Sequence, residues 1–142
     1  MVTSARNQFH GHVRGIVAGA VNDEVLLEVT PGLRVVATIT RDSVHSLGLE
    51  VGTPAFALVD ASSVIVARDV EGARYSARNR FSGTVGRISQ GAVNDEIVVD
   101  VGDGCSMVAI ITRESARALA LEPGIVVTVL FKASSVIVGV PH

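Results

Sequence analysis

The sequence contains few aromatic residues and a single cysteine. It has no Trp, one Tyr and four Phe among 142 residues, yet 48% of its residues are hydrophobic. A buried core must therefore consist mainly of Val, Ile, Leu and Ala. Because Cys105 is the only cysteine, no intrachain disulfide can form, and this favours a reducing compartment.

Long apolar runs and an excess of positive charge are also missing. No stretch approaches the roughly eighteen apolar residues of a membrane span, and no apolar run follows the first basic residues as in a secretory signal. We therefore expect a cytoplasmic protein that does not contact a membrane. The formal net charge of −2 and the scarcity of aromatic rings argue against nucleic-acid binding, which needs a basic face and stacking platforms.

What the sequence does contain is a long internal repeat. The six letters GAVNDE occur at 19–24 and again at 91–96, and other motifs recur at the same separation of 72 residues. About half of the aligned positions are identical without insertion or deletion, which indicates a duplicated module rather than a solenoid. The predicted modules are 1–70 and 71–142, with residues 69–75 as the candidate linker. The other repeated motifs are SARN (4–7 and 76–79), ITR (39–41 and 111–113) and ASSVIV (61–66 and 133–138).

Each copy is predicted to be mostly strand with one short helix. In the first copy, β-branched and aliphatic runs at 25–29, 33–39, 55–59 and 63–67 indicate strands separated by turn signals. Thr40 is a suitable N-cap for a helix that ends near Gly48, and Thr112 caps a second helix over Arg113–Ala120. This pattern predicts an all-β fold made of two tandem OB-like Greek-key β-barrel modules, each with one short helix.

The polar residues retained in both copies are rich in hydroxyl groups and include arginine, but no histidine or cysteine. Hydroxyls, backbone N–H groups and a guanidinium are suited to holding an oxyanion by hydrogen bonds. Thr40 and Ser43, repeated as Thr112 and Ser115, stand at predicted helix N-termini, where an anion is favoured. Each motif also has a purely structural interpretation: a helix cap, a tight turn for GAVNDE, an interface arginine or an edge strand.

The ordered motifs SARN, GAVN, IT..S and KAS resemble the molybdate-binding Mop module, and the whole chain is similar to a tandem Mop protein. The resemblance implies molybdate, together with tungstate, as ligand and a storage or homeostasis function. It also implies that ligand sites form between modules in a ring of six, hence a homotrimer. A molybdate-responsive regulatory module is the main alternative.

The resemblance also implies which residues hold the oxyanion. The Ser and Arg of SARN come from one module, while a neighbouring module supplies IT..S and KAS. A second class of site near the threefold axis is expected to use the GAVN loops. The implied residues are Ser4, Arg6, Thr40, Ser43 and Ala61 from the first copy, Ser76, Arg78, Thr112, Ser115, Lys132 and Ala133 from the second, and Ala20, Val21, Asn22, Ala92, Val93 and Asn94 from the loops.

One position departs from the family pattern. The second copy has the expected Lys132 before ASSV, whereas the first copy has Asp60 there. A carboxylate facing a doubly charged oxyanion replaces attraction by repulsion. We therefore expect sites that depend on Asp60 to be weak or empty, unless Asp60 points away or pairs with an arginine.

Catalysis and direct metal ligation are not expected. His10 and His12 are replaced by Ser82 and Thr84 in the second copy, and Cys105 aligns with Leu33. No nucleophile–base pair and no metal-ligand spacing occurs in both copies. A metal would therefore be bound only as an oxyanion, and an OB-type nucleic-acid-binding protein is the less favoured alternative.

Overall fold

The computed structural model describes residues 3–30, 32–68 and 72–141, so residues 69–71 of the candidate linker lie outside the described residues. The described part contains ten strands, two short α-helices and two 3-10 turns, the latter at Ala61–Ser63 and Ala133–Ser135. The elements are β1 (Asn7–Val17), β2 (Asn22–Thr30), β3 (Leu33–Thr40), α1 (Arg41–Leu47), β4 (Pro54–Val59), β5 (Ile65–Ala67), β6 (Asn79–Gln90), β7 (Asn94–Gly102), β8 (Cys105–Thr112), α2 (Arg113–Ala118), β9 (Val126–Phe131) and β10 (Ile137–Gly139).

The described strands form two five-stranded antiparallel sheets, in the orders β10-β4-β1-β2-β3 and β5-β9-β6-β7-β8. In both sheets three consecutive strands form a meander and the fourth returns beside the first, which is the Greek-key order. The predicted all-β class with two OB-like modules is thereby confirmed.

Alternating side chains of the strands build each core. In β2, Val25 and Leu27 are buried, and their counterparts Ile97 and Val99 in β7 are fully buried. Of the described residues, Phe131 is the one aromatic side chain among the largest that are fully buried. The aliphatic core expected from the composition is therefore what the sheets enclose.

The strands after the two 3-10 turns are exchanged between the copies. β10 from the second copy pairs antiparallel with β4, with Val138 opposite Ala57. β5 from the first copy pairs with β9, with Val66 opposite Val129. The first compact unit accordingly combines the residues up to Val59 with those from Lys132 onward. The second unit runs from Asp60 to Phe131. The sequence repeat and the compact units thus divide the chain differently.

The two helices begin alike and end differently. α1 ends before Gly48, whose φ of +66° is the left-handed conformation that glycine adopts without strain. α2 ends at Ala118, two residues earlier than predicted, and Ala120 has a φ of +51°. The chain thus turns left-handed at equivalent positions after both helices, at a glycine after α1 and at an alanine after α2.

Candidate functional site

Each helix begins at a threonine–serine pair that is joined by two hydrogen bonds. The Ser43 N–H donates to Thr40 Oγ1 at 3.1 Å, and the two hydroxyl oxygens lie 2.7 Å apart. The second unit repeats this arrangement, with Ser115 N–H to Thr112 Oγ1 at 3.1 Å and Thr112 Oγ1 to Ser115 Oγ at 2.8 Å. Because one hydroxyl hydrogen serves the bond between the pair, the other remains available to donate outward.

Sheet register places an asparagine of each GAVN loop beside the threonine. Asn22 lies opposite Thr40 in the pairing of β2 with β3, and Asn94 lies opposite Thr112 in the pairing of β7 with β8. The family resemblance implied separate classes of site for the GAVN loops and the IT..S residues. In the structure, the asparagine and the threonine are cross-strand neighbours in each unit.

The remaining letters of GAVNDE hold the loop in shape. Asp23 is 3% exposed, and its Oδ1 accepts a hydrogen bond from Gly19 N–H at 3.0 Å. The Arg41 guanidinium donates to the Gly19 carbonyl at 3.1 Å, and the Arg41 N–H donates to the Val21 carbonyl at 2.9 Å. A Cβ at residue 19 would collide with the Asn22 carbonyl oxygen. The structural interpretation of GAVNDE therefore explains its Gly and Asp.

The same contacts recur around the second loop. Asp95 Oδ1 accepts from Gly91 N–H at 3.3 Å, and Asp95 is 3% exposed. Arg113 donates through its side chain to the Gly91 carbonyl at 3.3 Å and through its N–H to the Val93 carbonyl at 2.9 Å. Arg41 and Arg113, which directly follow the capping threonines, thus each donate hydrogen bonds to backbone carbonyls of their own loop.

The first unit has an open groove of about 420 Å³ beside its threonine–serine pair. The second 3-10 turn packs along β3 and contributes Ser134 to this groove. Among the described residues, the lining contains hydroxyls and an amide together with apolar side chains, and no carboxylate. Its lining residues are Asn22, Thr38, Ile39, Thr40, Ser43, Ser46, Leu47, Ser134, Val136, Ile137 and Val138.

The exchanged strands determine which KAS-type segment meets which threonine–serine pair. The turn after Lys132 packs against β3 in the first unit, and the turn after Asp60 packs against β8 in the second. Ala61 and Ala133 are buried, whereas Asp60 and Lys132 are exposed and do not cap their turns with their side chains. The family resemblance implied that Lys132 acts with Thr112, but Lys132 lies in the unit of Thr40.

The SARN residues lie on the surface at the start of each long strand. Ser4, Arg6, Ser76 and Arg78 are exposed, and the asparagines that follow are buried. Asn7 lies opposite Val59 and Asn79 lies opposite Phe131, the last residues before the crossings into the other unit. Ser4 and Arg6 are not among the described residues that line the groove of the first unit.

Three hydroxyl residues of the groove, Thr38, Ser46 and Ser134, were not among the implied ligands, and Thr38 has Ile110 as its counterpart in the second copy. Ser134 belongs to the repeated ASS motif, so its retention in both copies was an available signal. Ser46 has Ala118 as its counterpart, so it is not repeated and the comparison of the two copies gives no signal for it. Within the described ranges, no group of three or more His, Cys, Asp or Glu side chains is placed to hold a metal ion.

The fold and this site define a protein of two small β-barrel modules, each with a hydroxyl pair beside an exchanged strand. The TOBE-domain model matches the chain twice, over residues 3–66 and 75–138. The chain therefore belongs to the TOBE-domain family with one domain in each copy, and its resemblance to tandem Mop proteins is confirmed.

Two relatives with curated descriptions have names that refer to molybdenum. The molybdenum-pterin-binding protein MopA of Rhodobacter capsulatus is 45% identical over 141 residues, which is 99% of this chain and 53% of MopA. The molybdenum transport protein ModE of Herbaspirillum seropedicae is 39% identical over 99% of this chain and 52% of ModE. This chain spans about half the length of these two relatives.

A solved structure matches the chain along its full length. It is the cytoplasmic molybdate-binding protein ModG with molybdate bound, 40% identical, with a TM-score of 0.95 over 99% of this chain and 100% of that chain. Among the helices of the described residues, none has the length and apolar character that crossing a membrane requires.

Proposed function

We propose that this protein binds molybdate, and also tungstate, as a tetrahedral dianion held by hydrogen bonds, and that it acts as a cytoplasmic store. The observation that carries the proposal is the full-length match, at 40% identity, to a cytoplasmic molybdate-binding protein with its ligand bound. The donor chemistry of the groove fits such a ligand, because its described lining residues offer hydroxyls and an amide and include no carboxylate.

The proposed ligands are the residues that the resemblance implied. The Thr40–Ser43 pair supplies a free hydroxyl hydrogen, and Ser4 and Arg6 are exposed where a neighbouring module can reach them. An open groove cannot surround a small ion by itself, so the remaining donors must come from another module. Arginine from SARN adds a charge-assisted contact at that point.

Self-association is part of the proposal. Val21 and Val93 at the loop tips are 72% and 71% exposed, and Ile65 and Ile137 on the exchanged strands are 58% and 65% exposed. Large apolar side chains exposed at the same position of both copies favour an interface. We propose that three chains associate and complete the oxyanion sites where their modules meet.

Calorimetric titration of the purified protein with molybdate, in sulfate-containing buffer and alongside native mass measurement, tests the proposal. Saturable uptake by a trimer is the expected result, and tungstate should compete. Ser43→Ala removes a hydroxyl but keeps the N–H that Thr40 caps, so it should weaken binding without lowering the unfolding midpoint. Absence of bound molybdenum after dialysis and of binding heat would refute the proposed function.

A regulatory function is the second candidate, because the DNA-binding transcriptional dual regulator ModE of Escherichia coli (strain K12) is 31% identical over 138 residues, which is 96% of this chain. Storage requires several ions per assembly and release at low free molybdate. Regulation requires a partner whose affinity changes with ligand. Pull-down of partners with and without molybdate separates the two candidates, since a ligand-dependent partner favours regulation.

A further inference from the structure

The strand exchange gives the two threonine–serine pairs different charged neighbours. Chain segments cross between the units after Val59 and after Phe131, so Asp60 opens the segment that enters the second unit and Lys132 opens the one that enters the first. The turn that follows Lys132 packs on the strand that ends at Thr40. The turn that follows Asp60 packs on the strand that ends at Thr112.

We infer that Lys132 makes the Thr40–Ser43 site of the first unit a tight oxyanion site, whereas Asp60 makes the Thr112–Ser115 site of the second unit a weak one. The inference rests on the proposed function and deepens it. The inference places Lys132 of the second copy beside hydroxyls of the first copy. It also makes the position that Asp60 and Lys132 share in the repeat, where the two copies carry opposite charges, the determinant of oxyanion affinity.

Other charged groups near the pairs do not cancel the difference. Arg41 and Arg113 occupy equivalent positions and donate to equivalent loop carbonyls, at 3.1 Å and 3.3 Å, so they favour neither unit. Asp42 and Glu114 follow them in each helix and are also matched. Arg117 replaces His45, but it stands in the last turn of α2 and lines a different cavity, away from Thr112.

The sign of the effect follows from simple electrostatics. A dianion gains from a nearby ammonium group and loses from a nearby carboxylate, and exposure of both side chains lets solvent screen part of the interaction. We expect affinities that differ between the two site classes on the order of tenfold to a hundredfold. The difference should shrink as ionic strength rises.

The first test adds a lysine to the weak unit. Asp60→Lys should create a second tight class of molybdate in the calorimetric titration, and Ser115→Ala introduced into that variant should remove the new class. Glu122→Lys is the matched control, because it makes the same charge change at an exposed position of the second unit beyond α2. It should leave the number of tight sites unchanged.

The second test uses a double-mutant cycle. Lys132→Met should remove the tight class of the wild-type protein, so Ser43→Ala should have little further effect in that background, whereas Ser115→Ala should act independently. Coupling of Lys132 with Ser115 rather than Ser43 would overturn the inference. So would an Asp60→Lys variant that is folded, as its unfolding midpoint shows, and titrates like the wild type.

The wild-type titration separates the two levels of the argument. Absence of molybdate uptake by the wild-type protein refutes the proposed function and the inference together. Uptake with a single class of equal sites, unchanged by Asp60→Lys, leaves the proposed function standing and refutes the inference alone.

Discussion

Asp23 and Gly19 are joined across the GAVNDE loop by a hydrogen bond of 3.0 Å from the Gly19 N–H to Asp23 Oδ1. The Asp23 side chain that accepts this bond is buried, with Asp23 only 3% exposed. Asp95 and Gly91 repeat the bond in the second unit. A buried carboxylate is tolerated because backbone donors satisfy it. The hexapeptide is therefore retained in both copies at least partly because it shapes its own loop.

Asp23→Ala should destabilise the protein by about 1–3 kcal/mol, because it leaves a loop N–H without its acceptor. Asp23→Asn keeps an oxygen at the same position and should retain most of the stability. Urea unfolding followed by circular dichroism measures both variants. Equal losses for the two variants would show that the hydrogen bond to Gly19 is not what Asp23 supplies.

Gly19→Ala should also destabilise the protein, because its new methyl group would overlap the Asn22 carbonyl oxygen and force the loop open. Gly15→Ala is the control, since no atom lies within 4 Å of a Cβ built there. Thermal unfolding should show a lower midpoint for residue 19 and little change for residue 15. A normal midpoint for Gly19→Ala would contradict the close approach.

Ala120→Gly should stabilise the protein. Ala120 has a φ of +51°, a conformation that costs a residue with a Cβ roughly 1 kcal/mol and glycine almost nothing. Part of the gain is lost because glycine makes the unfolded chain more flexible. Gly48→Ala, at φ +66° after α1, is the opposite change and should destabilise. Denaturation midpoints that move in the same direction for both variants would refute this account.

The strand exchange predicts which sheet a core substitution in an exchanged strand will destabilise. Val138→Ala should weaken β4, its partner strand in the first unit, and Val66→Ala should weaken β9 in the second. Each change deletes buried methyl groups and should cost about 0.5–3 kcal/mol. Hydrogen exchange followed by mass spectrometry locates the loss of protection. A loss confined to β9 in Val138→Ala would contradict the exchange.

The sequence predicted the local elements well because their signals are short-range. β-branched runs marked the strands, and Thr40 and Thr112 are N-caps as expected. The exchange could not be predicted, since the exchanged segments share ASSVIV and suit either sheet equally. Their near-identity removes any periodicity or packing signal that would assign one segment to one unit.

The neighbouring positions of Asn22 and Thr40 are a second feature that could not be predicted from the sequence. The hairpin begins with Thr30 opposite Leu33, but an irregularity between Glu28 and Thr30 shifts the register by one residue. Without that shift Thr40 would face Asp23, whose side chain belongs to the loop interior. A one-residue change in register moves side chains to the other face, and the sequence carries no clear mark of this bulge.

The exchanged strand also imposes an order on folding during synthesis. The second unit is one continuous segment, from Asp60 to Phe131, and all of its strands are synthesised before β10. The first unit has β4 at its sheet edge until Ile137–Gly139 arrives to pair with it. The unit that is translated first is therefore the one completed last, and β4 depends on the ribosome reaching the final strand.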